Sequence, residues 1–306
     1  MNILFFGSTQ DSVIVLGKLP AVTAVVTQPA KPVGRNKVLT KTPVETWAHE
    51  HNITCLSFPN NPEKPWLYAD EQTVIDALEP MRADLIVSAS YGQKIPTKTI
   101  ADARFGGLNV HPSLLPRWRG ADPVPWAILS GDHQTGVTVV SLSEKFDEGL
   151  IYAQKKVPIV PTDTSDPLRT KLFTLGADLL ATMLPDYIHH RCKPIPPNRW
   201  TRYDTRFPYA KKFKRDDGFE AWEIIKKAIN DDVDAARIER KFRALDPWPG
   251  VWSLVNNKRL KILSLHLDNG KLILDTVQLE GKKPVSWKQF QDAYGANPNF
   301  PHADSK

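Results

Sequence analysis

The sequence predicts an α/β chain: a mostly parallel sheet with helices on both faces, followed by a small OB-like β-barrel. Three observations carry that prediction. Apolar and β-branched runs alternate with helical patterns through the first two thirds of the chain. Apolar runs separated by charged turns fill the last third, and a Pro- and Arg-rich stretch without periodicity lies between. With 306 residues there is room for a larger and a smaller domain, each with its own core. The expected boundaries are 1–190 for the first domain, 191–209 for the linker, and 210–306 for the barrel with a helical entry segment.

"NILFFG" (2–7) is an apolar run stopped by Gly7, and "VTAVVTQP" (22–29) is a β-branched run stopped by Pro29; both read as strands. "TPVETWAHEHN" predicts a helix that begins after Thr42 with Pro43 in its first position, and "EQTVIDALEPMRA" predicts another. Further strands are expected at "ADLIVSASYG" (83–92), "FGGLNVH" (105–111) and "TGVTVVSLS" (135–143), with "DPVPWAILSG" as a short helical connection. Apolar residues at helical spacing over 166–190 close the first domain on the sheet. After the linker "CKPIPPNRWTRYDTRFPY" (192–209), residues 220–245 have helical patterning interrupted near "NDD". A sharp turn at "DPWPG" follows, then "VWSLV", "RLKILSLHL" and "KLILDTVQL" as antiparallel strands. No internal repeat is visible.

Residues 1–196 hold 19 Lys and Arg against 19 Asp and Glu, while 197–306 hold 21 against 15. The whole basic excess therefore lies in the last third, which suits an arm for a polyanion and equally suits a surface kept charged for solubility. Cys55 and Cys192 are too few and too far apart for a disulfide framework or a metal cluster. No run approaches the roughly 18 to 20 apolar residues of a spanning helix. The opening "MNILFFGSTQD" carries neither a charged leader nor a cleavage signal, so the expectation is a cytoplasmic protein with no membrane partner.

In mostly parallel sheets, ligands sit beyond the carboxyl ends of the strands. "SYGQKIP", "NVHPSLLP" and "SEKFDEG" each follow a predicted strand, which brings Tyr91, His111 and Asp147 into one crevice. His111 suits proton transfer, since its ordinary titration lies nearest neutrality. Asn109, two residues earlier on the same strand edge, can donate to an oxygen that becomes negative, and Asp147 can orient His111 or move the proton. An amide, an imidazole and a carboxylate suit attack of an amine on a carbonyl. The bland alternative, a strand-end histidine with ordinary hydrogen bonds, stays open on residue chemistry alone. Arg117 and Arg119 flank Trp118 beside the same crevice, as phosphate ligands or as loop anchors. A second basic loop (28–43) carries Lys31, Arg35, Lys37 and Lys41. "FFGSTQD" lacks the spaced glycines of a dinucleotide site, and no histidine pair has metalloprotease spacing, so no metal is expected.

The stretch "NVHPSLLPRWRGADPVPWAILSGDHQTGVTVVSLSEKFDEG" (109–149) resembles the signature region of the methionyl-tRNA formyltransferases and, more broadly, of the 10-formyltetrahydrofolate-dependent formyltransferases. "VVTQPAKPVGR" with "LTKTPV", "ADLIVSASYGQKIP" and "RALDPWPG" are similar to further segments, so the resemblance covers most of the chain. It implies a Rossmann-like formyltransferase core with a catalytic trio at Asn109, His111 and Asp147. It also implies a formyl donor, 10-formyltetrahydrofolate released as tetrahydrofolate, lined by Tyr91, Gly92, Gln93, Lys94 and Ile95, by Ser113, Leu114, Leu115 and Pro116, and by Ser143, Glu144, Lys145 and Phe146. The implied acceptor is methionyl-initiator tRNA, met by Arg35, Lys37, Lys41, Arg117 and Arg119 and by the basic C-terminal domain of a monomeric enzyme. N-formylation of an amino-sugar nucleotide by the same core chemistry is the alternative. This sequence departs from the family's usual pattern at "GSTQDS" (7–12), at Asp122, at Glu148 after the trio's carboxylate, and in a longer helical stretch over 216–236.

Overall fold

A computed structural model describes residues 1–34, 36–196, 209–231, 234–255 and 257–295. Their packing divides into two units. One gathers Met1–Pro123, Gln134–Pro158 and Arg169–Lys211; the other gathers Val124–His133, Ile159–Leu168 and the chain from Lys212 onward. A cut at residue 190 divides the sequence linearly, whereas packing assigns two earlier segments to the C-terminal unit. Of the expected linker, 197–208 lies outside the described residues.

The first unit begins with β1 (Ile3–Gly7), α1 (Gln10–Leu16), β2 (Val22–Thr27), a ribbon of β3 (Lys31–Val33) and β4 (Val38–Thr40), α2 (Pro43–Glu50) and β5 (Thr54–Ser57). It continues through α3 (Glu71–Leu78), β6 (Leu85–Ala89), α4 (Thr97–Asp102) and β7 (Gly107–His111). After α5 (Pro123–Leu129), which from Val124 belongs to the other unit, come β8 (Gln134–Ser141), β9 (Ile151–Pro158) and the long α6 (Ser165–Ile188), which rejoins the first unit at Arg169. Seven strands form one sheet in the order β5-β2-β1-β6-β7-β8-β9. Pairing is parallel from β5 to β7 and antiparallel from β7 to β9. The central strands are continuous apolar runs because both of their faces are covered. Ile3, Phe5, Val25, Val87, Leu108 and Val110 pack with Val15, Val44 and Phe173 on one face. Leu4, Phe6, Val26 and Ile86 pack with Val74 and Leu78 on the other. Phe5 and Phe6 are each fully buried, and truncating either to Ala costs about 3–5 kcal/mol.

Thr42 caps α2 by accepting from the Glu45 amide at 3.0 Å, with Pro43 in the first turn as the sequence predicts. The edge strands β5 and β9 have no clear sequence signature. Thr54 and Ser57 are exposed, as are Lys155 and Lys156, so neither strand carries a full apolar face. Edge lysines also block pairing with another chain. The basic loop at 28–43 proves to contain the β3–β4 ribbon, all six of whose strand residues are exposed.

In the second unit, α7 (Trp222–Asn230) and α8 (Ala235–Leu245) precede β10 (Trp252–Val255), β11 (Lys258–Asp268), β12 (Lys271–Leu279), β13 (Val285–Ser286) and α9 (Trp287–Tyr294). The region predicted as a barrel is, among the described residues, a four-stranded antiparallel sheet in that order. Register irregularities between Ile262 and Leu265 bend its longest pair. Ile225, Ile238, Leu260, Ile262, Val277 and Phe290 fill its core. Glu220 is buried, and burial alone pushes its carboxyl up; hydrogen bonds from Arg237 at 2.7 and 3.1 Å and from Lys241 at 2.9 Å outweigh this and hold it below the usual range.

Candidate active site

Strand alternation places Asn109 and His111 on one face of β7, since Leu108 and Val110 enter the core on the other. Both side chains converge on Asp147. Asn109 Nδ2 donates to Asp147 Oδ1 at 3.3 Å, and His111 Nδ1 lies 3.4 Å from the same oxygen. The Gly120 amide donates to Oδ2 at 3.1 Å, so both carboxylate oxygens are engaged. His111 and Asp147 are nearly out of solvent, with side chains 5 % and 9 % exposed. His111 Nε2 stands 3.0 Å from the Trp118 carbonyl oxygen. That oxygen only accepts, so Nε2 carries the hydrogen and Nδ1 is the ring nitrogen that faces Asp147.

The loop after β7 is held chiefly by Thr138 and Gln154, which the sequence does not single out. Thr138 Oγ1 donates to the Ser113 carbonyl at 2.6 Å and accepts from the Leu115 amide at 3.1 Å and from Gln154 Nε2 at 2.9 Å. One hydroxyl thus uses its hydrogen and both lone pairs. Gln154 also donates to the Leu115 carbonyl at 2.8 Å, and Ser113 Oγ to the Arg117 carbonyl at 2.8 Å. Leu115 packs with Val140 and Ile151 beneath. Trp118 is buried, its ring covered by the Arg117 guanidinium at 4.5 Å, and its backbone is left-handed with φ 61°. A bulky residue rarely adopts that conformation. Here it turns the carbonyl to His111.

Asp147 reaches the site by a route different from the expected one. Because β8 runs antiparallel to β7, its end at Ser141 lies opposite Leu108, whereas His111 pairs with Thr138. The end of β8 is therefore at the far edge of the sheet, and the rule for carboxyl ends does not apply to it. The β8–β9 connection folds back instead, closed by Ser141 and Leu150 through Ser141 N to Leu150 O at 2.9 Å and Leu150 N to Ser141 Oγ at 2.8 Å. Gly149 permits this: a Cβ there would stand 1.9 Å from the Ser141 carbonyl oxygen. Glu148 binds Arg119 at 2.8 Å and ties the two loops together.

The remaining expected residues divide by environment. Tyr91 is buried, its hydroxyl 2.9 Å from that of Tyr68 and its ring edge-on to Phe6, so it serves the core beneath the site. Burial, more than the neighbouring phenol, pushes the Tyr91 hydroxyl far up. Gln93, Ile95, Ser113 and Leu115 are buried, Lys94, Leu114 and Pro116 are half-buried, and Gly92 and Ser143 to Phe146 are exposed. Neither polar atom of the Gln93 amide has a partner among the described residues. Lys37 is exposed at the ribbon turn, and Lys41 is 3.5 Å from Glu45. Arg35 lies outside the described residues. The altered 7–12 stretch is well anchored. Thr9 and Ser12 form a reciprocal cap, Ser12 Oγ reaches the Ala89 carbonyl at 2.7 Å, and Asp11 pairs with Arg169 at 2.9 Å. Sequence reasoning also missed Tyr209, whose ring lies against Gly120. The only signal for it was a glycine in the loop that could admit a close neighbour.

Among the described residues, no group of three or more His, Cys, Asp or Glu is placed to hold a metal ion, and no helix is long and apolar enough to cross a membrane. The formyl transferase family model matches residues 5–184, and the formyl transferase C-terminal domain matches 226–271. The chain is 38 % identical to the methionyl-tRNA formyltransferase of Ehrlichia chaffeensis, over 96 % of this chain and 97 % of that one. It is 36 % identical to the methionyl-tRNA formyltransferase of Staphylococcus epidermidis, over 88 % and 81 %. A crystal structure of HypX from Aquifex aeolicus in complex with tetrahydrofolic acid shares the fold, with a TM-score of 0.55 and 17 % identity over 94 % of this chain and 46 % of that one.

Proposed function

Since this chain belongs to the formyl transferase family, with the methionyl-tRNA formyltransferases, we propose that Asn109, His111 and Asp147 move a formyl group from 10-formyltetrahydrofolate to the amino group of methionyl-initiator tRNA, for translation initiation. The observation that carries this reading is 38 % identity to such an enzyme over 96 % of this chain, together with a buried carboxylate shared by an amide and an imidazole.

The donor supplies a formyl carbon that accepts an amine and a leaving nitrogen that needs a proton. Asn109 spends one amide hydrogen on Asp147 and keeps the second for the oxygen that gains charge. Asp147, fixed at both oxygens, takes the proton that the amine must lose, exchanges it with His111 Nδ1, and returns it to the leaving nitrogen as the tetrahedral adduct collapses. The Trp118 carbonyl keeps the imidazole from rotating away. Because these contacts exist before substrate arrives, little reorganisation remains for the reaction itself.

The residues present suit a flat donor with a polar edge. Gln93 offers a buried amide whose hydrogen-bonding capacity is unspent, and Ile95 and Leu115 offer apolar surface. These three would hold the pterin. On the acceptor side, Lys37 at the ribbon turn and Lys41 just after the ribbon, together with Arg35 two residues before Lys37 in the sequence, suit tRNA phosphates. Arg119, bound to Glu148, serves first as a loop anchor.

An acceptor comparison tests the reading. With 10-formyltetrahydrofolate as donor, charged initiator tRNA is expected to be formylated well above charged elongator tRNA and amino-sugar nucleotides. Turnover on an amino-sugar nucleotide with none on charged tRNA overturns the acceptor and keeps the chemistry.

A further inference from the structure

The chain segment at Tyr209 and Ala210 is stitched along the loop that holds Asp147. Ala210 N donates to the Arg119 carbonyl at 2.7 Å, and the Ala210 carbonyl accepts from Ala121 at 2.9 Å and from Asp122 at 3.3 Å. This pairing brings Tyr209 over Gly120. A Cβ on Gly120 would lie 2.7 Å from Tyr209 Cζ, 2.9 Å from Cε1, and 2.7 Å from the Ala210 carbonyl oxygen. Cζ is the ring carbon that bears the hydroxyl. The phenolic end of the ring is therefore the part that rests on Gly120, and the amide of that same glycine grips Asp147 Oδ2. Gly120 also has φ 116°, so its backbone and its missing side chain both suit this close approach. Tyr209 remains 55 % exposed as a residue although nothing in its backbone pairing requires an aromatic residue there.

We propose that Tyr209 is a positioning residue for the acceptor: its hydroxyl accepts a hydrogen from the incoming amino group beside Asp147, and its open ring face lies against the aminoacyl side chain. The chemistry fits. Burial first, and Asp147 second, push the phenol up against the opposing pull of Arg119, so the hydroxyl stays neutral and keeps its lone pairs for an amine. A neutral group at this place directs the amine without competing with Asp147 for the proton. An exposed apolar ring beside a buried polar trio also matches an acceptor that presents an amine and a thioether side chain together.

The inference rests on the amine-formylating reading above, and the two are read from different quantities. Parent activity on charged initiator tRNA carries the reading; the ratio of variant to parent, on whichever amine the parent formylates, carries the inference. Tyr209→Phe keeps the ring and removes the hydroxyl. It is expected to lower kcat/KM for the acceptor about tenfold, the equivalent of one good hydrogen bond, and to leave the donor KM within about twofold. Tyr209→Ala is expected to lower it further, with the added loss in the acceptor KM. Unfolding midpoints close to the parent's verify that the exposed ring is not structural. A Tyr209→Phe enzyme within twofold of the parent overturns the role of the hydroxyl, and a Tyr209→Ala enzyme within twofold overturns the whole assignment. A donor KM that rises as much as the acceptor KM also overturns it, because the residue would then serve the folate side.

Discussion

Two segments leave the sheet of the first unit with opposite degrees of order and burial, which the proposed function explains. At the end of β7 and in the loop that follows it, His111, Ser113, Leu115 and Trp118 are buried, and Thr138 and Gln154 fasten the loop's backbone from β8 and β9. In the β3–β4 ribbon every strand residue is exposed, Val33, Val38 and Leu39 at 57 %, 62 % and 68 %, and Lys37 stands at the turn. The difference follows from what each has to recognise. Stabilising a charge that exists only briefly requires dipoles already fixed in place, because reorienting them during the reaction forfeits the gain. Attracting a polyanion needs only positive charge within a Debye length, about 8 Å at physiological salt, so ordering the side chains beforehand would add little. On the function proposed above, one segment is ordered for chemistry and the other is left solvated for capture.

The largest way to break this comparison is to remove the groups the ordered loop presents. His111→Ala, Asn109→Ala and Asp147→Asn are each expected to lose roughly 100-fold or more in kcat, since a lost proton-transfer group or oxyanion donor has that size. Steady-state turnover with folding verified by circular dichroism checks this. If all three stay within about threefold of the parent, the trio has no catalytic role. Thr138→Val comes next. It leaves the Leu115 amide and the Ser113 carbonyl short of a partner inside the structure, at about 1–3 kcal/mol of stability. A fall of about tenfold in kcat should accompany the lower unfolding midpoint, because the same loop carries the Trp118 carbonyl. Unchanged kcat despite the lost stability would show that the site tolerates a loose loop.

On the ribbon the expectations reverse. Replacing Arg35 and Lys37 together by Ala should raise the KM for charged tRNA several-fold and reduce the salt slope of tRNA binding by about 1.5–2 units, close to one for each phosphate that is no longer neutralised. The unfolding midpoint, kcat and the donor KM should stay where they were. An unchanged slope and affinity would remove the ribbon from the interface. The smallest effect is reserved for Lys41→Ala, because Lys41 already shares its charge with Glu45 at 3.5 Å. Its effect on the slope should be well under that of Lys37→Ala alone, and the exposed pair should contribute no more than about 0.5 kcal/mol to stability. Equal slopes for the two single variants would indicate that tRNA breaks the Lys41–Glu45 pair on binding.

Much of this was legible in the residues themselves, for reasons that are local. Asn109 and His111 stand two apart in a β-branched and apolar run, so a strand of any register places them on one face. Thr42 before Pro43 starts α2 because a cap and a fixed φ act within one turn. Uninterrupted apolar runs in β1, β2 and β6 announced a sheet covered on both sides. The charge excess after residue 196 was likewise a matter of reading letters.

What only the tertiary structure decided depends on chain direction and on atoms that every residue shares. Nothing in the letters of β8 says that it runs antiparallel, yet that direction sends Ser141 away from His111 and requires the fold-back that returns Asp147. The imidazole is held by the carbonyl of Trp118 and the carboxylate by the amide of Gly120, and a main-chain group has no identity in a sequence. Thr138, Gln154 and Tyr209 lie 23 to 39 or about 90 residues from the backbone they serve, across pairings whose register no local pattern specifies. The sequence therefore determined which chemical groups exist and which strand faces carry them. The long-range pairing of strands, set by burial on both faces of one sheet, decided which of those groups meet.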